Sequence, residues 1–184
     1  MQLDNAIKER KSVKKFSSKK VDWRDIIECI DSARYAPSAG GYSTLKFIFV
    51  SDGEKIQVIS KACQQDFVSE VHYVIVVVSD SSKTKKSFGE RGEIYVRQQA
   101  GAAIQNFLLK IEEKGLDSCW VGHLAENQIK NELRIPPHMH VEAVLPVGYE
   151  FKKEKPGRKI SMDQILFFER YGIKKMKPVK RVNV

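Results

Sequence analysis

The chain has 184 residues, 42% hydrophobic and 30% charged, enough for one globular domain with a real core, completed or not by a partner. No apolar run reaches the length of a membrane span, and the opening MQLDNAIKER lacks the apolar region of an export signal. The formal net charge is +9, and eleven Lys/Arg against three Asp/Glu put +8 of it between Phe151 and Val184, so the body is nearly neutral. Three cysteines, Cys29, Cys63 and Cys119, have no metal-type spacing and fit reduced thiols in a cytoplasmic protein.

In chain order, Leu3, Ala6 and Ile7 predict a short amphipathic helix over residues 3–10. It runs into RKSVKKF, residues 10–16, read as a basic strand. Alternation puts Arg10, Ser12 and Lys14 on one side and Lys11, Val13 and Lys15 on the other. That row suits a phosphate-bearing ligand, and equally a solvated edge strand whose lysines discourage pairing. Asp22 is positioned to cap a helix with Trp23, Ile26, Ile27, Ile30 and Ala33 at helical spacing. APSAGGYST breaks that helix, LKFIFV reads as a strand, and GEKIQVISKAC as a third helix. VHYVIVVVS is a β-branched run expected at the centre of a sheet and buried on both faces. DSSKTKKSFGERGE reads as a lysine-rich loop.

The longest predicted helix follows, IYVRQQAGAAIQNFLLKIEEKG, with Val96, Ala100, Ala103, Ile104, Phe107, Leu108 and Ile111 on its apolar face. Gly115 stands where a glycine ends a helix. The small residues Ala100 to Ala103 permit close approach of another backbone. LDSCWVG is a strand, AENQIKNELRI a short helix and VEAVLPVGY a last strand. The alternation gives an α+β or layered α/β class with one sheet. His138 and His140 lack a third ligand and make no metal site. The sequence has no nucleophile elbow, P-loop or dinucleotide fingerprint, which removes hydrolase and nucleoside-triphosphatase readings.

Five motifs in order, RKSVKKF, YAPSAGG, AIQNFLLKIEEKGLDSCWVG, IP followed by VEAVLPVGY, and KPGRKISMDQIL, resemble the FMN-dependent nitroreductase family over residues 5–170. The resemblance implies a mixed central sheet flanked by helices, a single FMN-binding domain over residues 1–170 and a basic arm over 171–184. It implies a homodimer with swapped arms and an FMN site at the interface. It also implies hydride transfer from NADH or NADPH through the flavin to an electron-poor acceptor such as a nitroaromatic or quinone, with no protein acid or base required. Flavin cleavage, dehalogenation and specialised dehydrogenation are alternatives on the same fold.

In that family the basic row holds the flavin. Arg10, Lys11, Ser12 and Lys14 are the matching residues, and Arg10 and Lys14 stand ~13 Å apart on an extended chain. Arg10 and Ser12 would take the phosphate, and Lys14 the ribityl chain or the ring edge. Arg158 and Lys159 match a late basic position. Pro37, Ser38, Ala39 and Gly41 match the loop that approaches the ring from the other subunit, its glycines allowing close backbone contact. Val121 or Gly122 would offer a backbone amide beside the ring, with Cys119 as packing and His123 facing substrate. The chain departs from the common pattern at Gly41, at Ser43-Thr44-Leu45 and at Gln99. A short segment between Asp80 and Glu93 implies a thin lid. KKMKPVKRV could engage an acidic partner or nucleic acid, but offers few aromatics to stack on bases.

Overall fold

The computed structural model describes residues 1–177. Helix α1 spans Leu3–Glu9, α2 Trp23–Ala33, α3 Gly53–Cys63, α4 Ser82–Phe88, α5 Arg91–Glu113, α6 Glu126–Leu133 and α7 Met162–Ile165. Strands are β1 Leu45–Val50, β2 Tyr73–Ser79, β3 Asp117–Ser118 and β4 His140–Gly148. The sheet order is β1-β2-β4-β3, so the VIVVV run is internal, and every residue of β2 is buried.

Side chains alternate across β2 and split the core in two. Val74, Val76 and Val78 join a cluster with Ile56, Ile59 and Ile129 of α3 and α6. Tyr73, Ile75 and Val77 join the other, with Ile26 of α2 and Ile104, Phe107 and Ile111 of α5. The class is α+β. Where a mixed sheet was expected, each ladder among the described residues is antiparallel. An apolar run reports that helices cover both faces of a strand, not which way its neighbours point.

Local chemistry sets the helix ends. Asp22 Oδ1 accepts the Arg24 amide at 2.9 Å and starts α2, as expected. Asp52 does the same for α3 through the Glu54 amide at 2.9 Å. The α5 terminus is a Schellman turn: Gly115, at φ 70°, donates to Glu112 and Leu116 donates to Ile111. All seven apolar positions expected on α5 are buried.

Four elements differ from expectation. The strand expected over LDSCWVG is reduced to β3 and an isolated bridge from Val121 to Val144. The lysine-rich stretch after Asp80 is the helix α4, not a loop. Asp80 accepts the Ser82 amide at 2.9 Å, and fully buried Thr84 bonds the Ser81 carbonyl at 2.9 Å. A Cβ on Gly92 would lie 2.3 Å from the Thr84 backbone, so Gly92, rather than the Ala100–Ala103 stretch, is where two backbones meet closely. Residues 10–15 carry no ladder, and Phe16 alone of this row forms a bridge, to Glu150. On α2, Trp23 and Ile27 remain 48% and 45% exposed. Ile27 lines a groove of about 790 Å³ with Leu3, Tyr35, Asn106 and Leu109. Residues 171–177 of the expected arm are exposed, and 178–184 lie outside the described residues. No helix among the described residues is long and apolar enough to cross a membrane.

Candidate functional site

The basic row is fixed by its apolar members. Val13 and Phe16 are 3% and 6% exposed, and Phe16 packs on Phe67 at 6.4 Å and over Gly148. The backbone is then bonded to three distant segments. Val13 donates to the Ser118 carbonyl at 3.0 Å, Phe16 to the Glu70 carboxylate at 2.8 Å and Ser17 to the Tyr149 carbonyl at 2.8 Å. Phe151 closes the arrangement by donating to the Lys15 carbonyl at 3.0 Å.

With Val13 facing inward, Ser12 and Lys14 face solvent and Arg10 is half-buried. Among the described residues neither Arg10 nor Lys14 enters an ion pair, unlike their neighbour Lys11. Lys11 differs: it is paired with Glu150 at 2.7 Å, with 18% and 11% of the two side chains exposed. A cavity of about 370 Å³ lies along the row, lined by Ser12, Lys14, Lys15, Phe151 and Lys152 among others.

Ser118 and Cys119, which open the SCWVG segment, lie beside this row. Burial raises the Cys119 thiol pKa, and the Ser12 hydroxyl with the charges of Lys14 and Arg10 opposes that rise. Cys29 and Cys63 are likewise buried, which pushes them up to about 12 and about 11, so all three thiols are inert packing at neutral pH. The Val121 peptide is already committed in both directions: its N–H donates to Val144 at 3.0 Å and its carbonyl accepts at 2.9 Å. Of the two expected amide donors, Gly122 is therefore the one with no intramolecular partner among the described residues. Ser118 Oγ, buried next to Cys119, also lacks a partner. Below the row, burial raises the pKa values of Glu112 and Asp117, and in each case the field of Lys11 acts the other way.

Residues 37–41 form a separate patch. Ala39–Gly41 make one 3-10 turn in which both glycines take positive φ, 62° and 72°, a conformation costly to other residues. The Tyr42 and Phe88 rings stand over Gly40, where a Cβ would meet them at 3.0 and 3.2 Å. Tyr42 Oη and Ser87 Oγ are hydrogen-bonded at 2.9 Å, tying the turn to α4. Gln99 ties it to α5: its carbonyl accepts from Thr44 Oγ1 at 3.0 Å and its amide donates to the Tyr42 carbonyl at 3.4 Å. Pro37, Ser38 and Gly41 themselves face solvent, and Ala39 is half-exposed.

Arg158 and Lys159 are exposed and make no ion pair among the described residues; only the stretch 150–154 reaches the row. His138 and His140 pair loosely with Asp80 and Glu126, at 3.9 and 3.5 Å, and no group of three metal-ligating side chains occurs among the described residues. Glu70, Glu150, Phe88 and the role of Gln99 were invisible in the sequence, because each acts through a residue more than fifty positions away or through the unforeseen α4.

The nitroreductase family model matches residues 7–70 and 55–149. A protein of Archaeoglobus fulgidus described as "Putative NADH dehydrogenase/NAD(P)H nitroreductase" is 30% identical over 151 residues, 79% of this chain and 83% of the relative. An iodotyrosine deiodinase of Thermotoga neapolitana is 24% identical over 173 residues, covering 80% of this chain and 88% of its own. The structure of an FMN-dependent nitroreductase from Clostridium difficile superposes with a TM-score of 0.77 at 24% identity, covering 91% and 99% of the two chains.

Proposed function

The chain belongs to the nitroreductase family, and on that premise we propose that it is an FMN-dependent oxidoreductase that draws electrons from NADH or NADPH. The observation that carries this reading is the pair of cations outside any ion pair, Arg10 and Lys14, flanking the exposed Ser12 hydroxyl, with Ser118 and Cys119 of the segment that leads to the unpaired Gly122 amide against the row. Two cations, a hydroxyl and an unpaired N–H suit a phosphate at one end and a polar ring edge at the other. Bound FMN supplies hydride transfer between nicotinamide and an electron-poor acceptor. The chain's own part is to bind and orient: Arg10 and Ser12 hold the phosphate, Lys14 favours negative charge at the ring edge, and Gly122 offers its N–H. Arg158 and Lys159 add a late cation.

The turn 37–41 is fastened to α4 and α5, and the basic row to Ser118 and residues 149–151. A site using both patches is best built from two chains. Exposed Leu3, Trp23, Ile27 and Tyr35, and an outer edge of β1 unpaired among the described residues, support a homodimer. Residues 171–184 would be the arm that reaches the partner. The buried thiols suit a reducing, cytoplasmic setting.

The acceptor we infer is a nitroaromatic or quinone. Reductive dehalogenation is the second reading, favoured by the likeness to the deiodinase. The test is the visible spectrum of the purified protein with the released cofactor identified by mass, followed by anaerobic titration with NADH and NADPH. Bound FMN bleached by either nucleotide is expected. Arg10→Ala should weaken FMN binding by roughly 10- to 100-fold, the loss of one charge-assisted contact, and Lys14→Ala should shift the flavin potential. A protein that cannot be loaded with FMN would overturn the proposal. A screen of nitroaromatics, quinones and halogenated phenols then separates the two readings.

A further inference from the structure

Lys11 sits in the middle of the basic row without sharing its situation. It lines the same cavity as Ser12 and Lys14, but its charge is already engaged. Its ammonium donates to Glu150 Oε2 at 2.7 Å and to the Glu154 carbonyl, and four-fifths or more of both paired side chains is buried. Glu150 is itself held: its amide donates to Asp117 Oδ2 at 2.8 Å, and Oε2 also accepts the Glu154 amide at 3.4 Å. Lys11 thus meets Glu150 directly and lies in the field of Asp117 and Glu112 as well. A cation so surrounded is already neutralised, and pulling it out to meet a phosphate would strand buried carboxylate charge.

We propose that Lys11 is a positioning residue rather than a ligand: it is a strut that pins residues 150–154 to the basic row and so sets where Arg158 and Lys159 are delivered. Arg158 lies four residues beyond the pinned Glu154, and an extended chain covers at most ~14 Å in that distance. The strut therefore bounds the search of Arg158 to a small volume around the row. Without it, residues 152–159, exposed except for half-buried Pro156, have little else to hold them. This inference rests on the flavin reading for its consequence, but not for its geometry.

A ligand and a strut give opposite results in one cycle of variants, read as FMN dissociation constants against riboflavin, which lacks the phosphate. For a strut, Lys11→Met and Glu150→Gln weaken FMN binding equally, roughly tenfold, and leave riboflavin unchanged. The double variant is no weaker than either single one. Arg158→Ala loses its effect in the Lys11→Met background, and Lys11→Arg retains affinity. If Glu150→Gln leaves FMN binding unchanged or tightens it while Lys11→Met weakens it, Lys11 is a direct ligand and the strut is wrong. Glu150→Gln is close to isosteric and keeps the test available if Lys11→Met does not fold. A second readout needs no flavin: trypsin should cut after Lys152 and Lys153 severalfold faster in Glu150→Gln than in the parent chain. Unchanged cleavage overturns the strut whether or not FMN binds, whereas a parent chain that takes no FMN yet shows faster cleavage in the variant defeats only the flavin reading.

Discussion

Two basic regions of this molecule are held in opposite ways. Residues 10–16 carry four cations, yet Val13 and Phe16 are sunk in the core and the backbone is bonded to the segments around Ser118, Glu70 and Tyr149. Residues 151–177 carry nine cations and more large apolar side chains, yet Ile160, Met162 and Tyr171 are 65%, 66% and 92% exposed. Charge therefore does not decide which region is ordered against the body. An apolar anchor with a cavity to fill does, and the late segment has anchors without a surface in its own chain to receive them.

Removing an anchor should have the largest effect. Phe16→Ala deletes a ring packed on Phe67 and over Gly148, and should cost about 3–5 kcal/mol in urea unfolding, with FMN affinity falling alongside. A loss near 1 kcal/mol would mean that the row is held by its backbone bonds alone.

The opposite substitution probes the exposed region. For a single chain, Tyr171→Ala should change stability by no more than about 0.5 kcal/mol. If a partner chain receives the segment, the loss is larger and the melting temperature depends on protein concentration, because association is then linked to folding. Melting curves of Tyr171→Ala and Ile160→Ala over a hundredfold range of concentration distinguish the cases. A small, concentration-independent effect for both would leave the late segment a bare tail and count against the arm.

The same contrast explains what could be read from the sequence. β1 and α3 fall where their patterns placed them, because an apolar period and a local cap suffice to define them. The row's residues suggested a phosphate-type pattern, and alternation set Lys11 on the other side from Arg10, Ser12 and Lys14, but it did not say what Lys11 would meet there. Its partner Glu150 is 139 positions away, and no local signal announces it. α4 was missed for a related reason. Its lysines suggest a loop, whereas its stability comes from buried Thr84 and from Gly92 on the next helix, both tertiary facts. Val121 and Gly122 were indistinguishable as donors until the bridge to Val144 used one of them.

The smallest effect concerns what lies under the row, where the exposed segment has no counterpart. Burial, reinforced by Asp117 and Glu9 and opposed by Lys11 and Arg10, raises the Glu112 pKa above its ordinary value. A carboxyl whose folded-state pKa exceeds its unfolded one contributes most below the unfolded value. That contribution is lost as pH rises through the window up to the folded value. Glu112→Gln removes this titration while keeping the shape of the side chain. The stability of the parent chain relative to Glu112→Gln should therefore fall as pH climbs through that window, then level off. Lowered carboxylates elsewhere, such as Asp52 held by Lys55, slope the other way but are common to both proteins and cancel. Urea midpoints of the pair at closely spaced pH values measure the difference directly. Parallel profiles would mean that Lys11 and Arg10 offset the burial in full, and the underside of the row would then be electrostatically as neutral as the exposed segment.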